Sequence, residues 1–158
     1  MNDSMLHVVQ YFGQLELALL FVALLVPWCL PNKEHSPLAL VFIALGSLAG
    51  IVSSAVYLFF LGGVHVVLFE SVLLPWLTLK LEMLSAIFLL LINVVAFCAS
   101  WFGVGYSAHL GAHVSRPLMH GLTALFILGM LGVILSTTPL AFMLFWELMS
   151  VASFVLVL

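Results

Sequence analysis

Thr138-Pro139-Leu140-Ala141-Phe142-Met143-Leu144-Phe145-Trp146-Glu147-Leu148-Met149-Ser150-Val151-Ala152-Ser153-Phe154-Val155-Leu156-Val157-Leu158 is an apolar run with one ionisable side chain, Glu147. A helix needs about 20 such residues to cross a hydrocarbon core about 30 Å thick. Nothing in the run alternates polar with apolar as a barrel strand does, and backbone in lipid must satisfy its own hydrogen bonds, so the run reads as a membrane-spanning helix. Thr138-Pro139 has the chemistry of an N-cap followed by a first-turn proline.

Working outward, four more stretches share this character: about Tyr11–Leu30, Leu38–Leu61, Met83–Val104 and Pro117–Ser136. With Thr138–Leu158 they predict an all-α polytopic bundle of five helices in one membrane domain over residues 1–158. The composition agrees, being 66% hydrophobic and 6% charged with a mean hydropathy of +1.38. Soluble domains carry about 45–50% apolar and about 25% charged residues, so this inventory cannot cover a water-exposed surface. Three Lys or Arg against six Asp or Glu form no basic face, which excludes nucleic acid as a partner. Cys29 and Cys98 lie in apolar runs without CxxC spacing and are expected to be buried packing residues. Met1-Asn2-Asp3-Ser4 lacks the positive start of a signal peptide, so the first apolar run is expected to stay as a helix.

The connections are short. Pro31-Asn32-Lys33-Glu34-His35-Ser36-Pro37 is a polar loop bracketed by prolines, and Gly62-Gly63 closes the second helix. His65-Val66-Val67-Leu68-Phe69-Glu70 is too short to span and is expected as an extended surface segment. Gly103 to Arg116 is the most polar stretch, and the tight joint at Thr137 makes the last two helices antiparallel neighbours. Lys33 and Arg116 fall on one side and Lys80 on the other, so the positive-inside rule puts the N-terminus outside.

An ionisable residue inside a membrane is expensive, which makes it a functional candidate by default. Glu147 lies nine residues past Thr138, about 14 Å deep at about 1.5 Å rise per residue and so near mid-bilayer. Its sequence neighbours supply no partner charge. A carboxyl there that meets a movable cation can load and release a proton. The competing reading is a neutral glutamic acid that holds helices together, with Ser150 as a partner. Asn93 is about 15 Å inside the third helix and reads as an interhelical hydrogen bond or an accessory polar site. Glu16, one turn inside the first expected helix, and Glu82, at the edge of the third, are expected at the interface. His120 opens the fourth helix and can pass protons near an entrance. His109 and His113 have i,i+4 spacing, but Gly111 and the lack of a third ligand argue against a metal or haem site. Gly46-Ser47-Leu48-Ala49-Gly50, with Gly129 and Gly132, provides small-residue faces for close helix packing. No nucleophile and base pair or phosphate-binding loop is present, and no cofactor is expected in this chain.

Phe145-Trp146-Glu147-Leu148-Met149-Ser150-Val151-Ala152-Ser153-Phe154 resembles the fifth-helix motif of antiporter-like membrane subunits. These occur in respiratory complex I, Mrp-type cation/proton antiporters and membrane-bound hydrogenase or formate hydrogenlyase complexes. Leu77-Thr78-Leu79-Lys80-Leu81-Glu82-Met83-Leu84-Ser85-Ala86 is similar to the start of the family's third helix. The likeness looks strongest to the hydrogenase-4 component B branch and covers Leu77 to Leu158 with specific motifs. It implies a proton- or cation-translocating subunit, with Glu147 as the protonatable site facing a lysine on a later helix. Glu82, Asn93, His120 and Ser150 would then be accessory. Two departures stand out: Phe102-Gly103-Val104-Gly105-Tyr106-Ser107 keeps only Tyr106 of the family's pattern there, and Glu82 stands where Asp is usual. Family members carry many more helices, so the chain is expected to be an N-terminal portion, a split subunit or a remnant. Its partners would be other membrane subunits of an energy-converting redox complex in a cell inner or organellar membrane. The alternative is a non-conducting structural subunit of such a complex.

Overall fold

The structure, a computed structural model, describes residues 2–29, 36–107 and 116–158. Five long helices dominate: α1 (Asn2–Cys29), α2 (Ser36–Val56), α3 (Met83–Ser107), α4 (Arg116–Leu135) and α5 (Pro139–Val157). All five contain segments long and apolar enough to cross a membrane. The expected all-α bundle is therefore the observed architecture.

Three helices start on proline chemistry, with Pro37 and Pro117 second in α2 and α4 and Pro139 first in α5. Proline costs nothing there, because a first-turn N–H has no partner within the helix. Thr138 caps α5 as its sequence predicts, its hydroxyl accepting from the Ala141 N–H at 3.2 Å. The first helix differs from expectation, since α1 begins at Asn2, well before Tyr11. The polar residues among its first ten hid the start. They lie on a helix that is nonetheless tied into the fold, for Val9 is fully buried and its carbonyl accepts from Ser53 Oγ at 3.0 Å.

α2 ends in one wider turn, Tyr57–Leu61, with i→i+5 bonding, followed by Gly63 at φ 105°. That left-handed value suits a residue without a Cβ. The chain then forms an antiparallel hairpin, β1 (Val66–Glu70) and β2 (Thr78–Leu81), with Val66 opposite Leu81 and an irregularity between Val67 and Phe69. The segment at Val66 was expected at the surface, but Val66 and Leu68 are buried. Its partner strand occupies what reads in sequence as the approach to the third helix. β-branched and aromatic residues favour the pleated form, and the alternating burial of Thr78–Leu81 fits it. The connection between the strands leaves Val72 and Leu73 almost fully exposed.

α1 packs on α2 and α4, α2 packs on α3, and α5 packs on α4. The core runs through Leu20, Ile43, Tyr57, Leu68, Leu89, Leu131 and Leu135. The hairpin lies across one end. Leu79 bridges to Ser136, the Thr137 N–H donates to the Thr78 carbonyl at 3.2 Å, and Thr138 Oγ1 donates to the Trp76 carbonyl at 2.7 Å. Cys29 and Cys98, expected to be buried, are both exposed, because each falls on the outward side of its helix.

Candidate functional site

Among the described residues, two polar places stand out within the helices, one facing out of the bundle and one inside it. The outer place is Glu147, halfway along α5 (Pro139–Val157). The side of α5 that meets α4 carries Ala141, Phe145, Met149 and Ala152 at helical spacing. It is drawn close by two glycines: a Cβ at Gly132 would overlap the Phe145 ring, and one at Gly129 would lie 3.0 Å from Met149. Glu147 projects from the other side among the exposed Met143, Trp146, Val151 and Phe154. Ser150 does not serve it as a donor, since its hydroxyl donates to the Trp146 carbonyl at 2.9 Å.

The inner place was misread in sequence. Glu16 was expected at the interface, but with α1 starting at Asn2 it falls near the middle of that helix and is only 1% exposed. Asn93, fully buried on α3, donates from Nδ2 to Glu16 Oε1 at 2.8 Å and to the Leu89 carbonyl at 3.0 Å. Asn93 is thus an interhelical link, joined to a carboxyl 77 positions away in the chain. Gly50 of α2 makes room for the pair, since a Cβ there would overlap both Asn93 Nδ2 and the Glu16 carboxyl. Gly50, read in sequence as part of a packing face, is also what admits these two polar side chains.

Other buried hydroxyls in the bundle are mostly committed to backbone: Ser53 to Val9, Ser54 to Gly50 and Ser100 to Ala96. Ser47 Oγ and Asn93 Oδ1 are buried without a hydrogen-bond partner. His120 is 1% exposed on α4, one turn in from the helix start, so it belongs to the interior. Glu82 is half exposed just before α3 and lies 3.1 Å from His65 Nδ1. It helps to start α3, its carbonyl accepting from the Ala86 N–H at 2.8 Å. His109, His113 and Lys33 lie outside the described residues. Among the described residues no group of three or more His, Cys, Asp or Glu could hold a metal.

A bundle of five helices long and apolar enough to cross a membrane, with a carboxyl near the middle of two of them, is the build of a polytopic membrane protein. Comparison with known proteins narrows this. The chain is 34% identical over 117 residues to a Staphylococcus saprophyticus protein named as antiporter subunit mnhA2, an alignment covering 70% of this chain and 14% of the relative. Proteins of the same name in Staphylococcus aureus strains JH9 and JH1 are 29% identical over 123 residues, covering 73% of the chain and 15% of theirs. These relatives support a place among antiporter-like membrane proteins. The chain spans about 15% of the length of the curated relatives it matches. No family model and no solved structure matches it.

Proposed function

We propose that the chain is a proton- or cation-translocating antiporter-like subunit, or its N-terminal portion, with Glu147 as the protonatable site that exchanges with a cation on another helix. The single observation behind this reading is the placement of Glu147 on the outward side of an edge helix, where an acidic group in hydrocarbon is costly unless something polar covers it. The similarity to proteins named antiporter subunits supports the same reading. The partners are then other membrane subunits, with the redox chemistry of an energy-converting complex of complex I, hydrogenase or formate hydrogenlyase type residing in them. Within that setting the motif around Trp146-Glu147 favours the hydrogenase-4 component B branch. Lys33 and Arg116 on the cytoplasmic side put the N-terminus outside an inner or organellar energy-transducing membrane. Glu82, Asn93, His120 and Ser150 are accessory in this reading.

The test is Glu147→Gln in the assembled complex, with cation and proton movement into sealed vesicles as the readout. Transport falls to background while assembly and electron transfer persist. A variant that transports at the wild-type rate overturns the reading and leaves the structural subunit in its place.

A further inference from the structure

We propose that Glu16, Asn93 and Gly50 form a second protonatable site, inside the bundle and separate from Glu147, with the proton carried on the Glu16 carboxyl. The hydrogen-bond inventory of the pair carries the argument. Both hydrogens of the Asn93 amide are in use, one on Glu16 Oε1 at 2.8 Å and one on the Leu89 carbonyl at 3.0 Å, which fixes which end of the amide is nitrogen. Asn93 Oδ1 is left buried and accepts from nothing. A carboxylate has no hydrogen to give it, whereas a carboxylic acid has one O–H. A protonated Glu16 can therefore return a bond to the amide that binds it, closing a reciprocal acid–amide pair.

The described surroundings offer no other way to hold the charge. Among the described residues, no Lys, Arg or His forms an ion pair with Glu16. α2 has no titratable side chain. On the other elements packed around α1, Tyr57 donates its hydroxyl to the Val64 carbonyl, Glu70 is exposed on β1, and His120 is buried on α4. Of the titratable residues on α3, Cys98 and Tyr106 are both exposed. Burying an unpaired carboxylate is far more costly than burying a hydrogen-bonded acid. The room is specific, because Gly50 is the position on α2 where any side chain would strike the pair. Ser47, one turn along the same side of α2, supplies a buried hydroxyl with no partner, a second group able to hand on a proton.

Infrared spectroscopy of the full chain in lipid vesicles tests this, using the carbonyl stretch of protonated carboxylic acids. The Glu147→Gln variant keeps such a band, it shifts when H2O is replaced by D2O, and adding Glu16→Gln to that same variant removes it. A band that survives this addition, that is missing in Glu147→Gln, or that ignores D2O overturns the proposal. Asn93→Leu covers the case in which Glu16→Gln does not accumulate. It leaves the acid but removes its hydrogen bonds, and the band moves to higher frequency; an unmoved band overturns the pairing.

Discussion

At the scale of single residues, the two carboxyls proposed as protonatable sites differ in how they could be found. Glu147 stands out in the sequence because it is a lone acid in a long apolar run whose neighbours carry a recognisable motif. Glu16 does not, because its depth depends on where α1 starts, and the polar residues before Tyr11 conceal that start. Its link to Asn93 joins positions 77 apart and leaves no local trace. Gly50→Ala tests how tightly the pair is seated. The added methyl must displace Asn93 or Glu16, at about 1–3 kcal/mol for overpacking a filled interior, and thermal or denaturant unfolding in detergent measures the loss. Glu82→Ala is the contrasting case. Its partner His65 is 70% exposed, so the pair is worth at most about 1 kcal/mol and the same unfolding measurement moves little.

At the scale of elements, the five helices follow from length and hydropathy, and the proline and threonine signals locate the starts of α4 and α5 well. The hairpin was half legible. Val66–Glu70 has the composition of a strand, but Thr78–Leu81 adjoins a helix and becomes a strand only because β1 and the α4–α5 joint offer it partners on both sides. Thr138 shows how the joint is held, since one hydroxyl accepts from Ala141 and donates to Trp76. Thr138→Ala removes both bonds and lowers stability by about 1–2 kcal/mol, whereas Thr138→Ser retains most of it; the pair of unfolding curves distinguishes a capping role from simple packing.

At the scale of the whole molecule, α1 to α4 enclose the Glu16 pair while α5 leans on α4 and buries little more than Ala141 and Ala152. Deleting α5 after Thr137 is therefore expected to leave the inner bundle folded, with the protease resistance of α1 to α3 unchanged, although Glu147 is lost. The hairpin gives this bundle two unlike ends. Leu68 of β1 sits against Gly13, one turn from Glu16, and Tyr57, Leu61 and Val66 fill the space behind it. The hydroxyls on that side, Ser53 and Ser54, are already committed to backbone carbonyls. Toward the opposite end lie the uncommitted Ser47 and the buried His120. The paired strands thus give the bundle one end packed with apolar side chains and leave the buried polar groups of Ser47 and His120 toward the other.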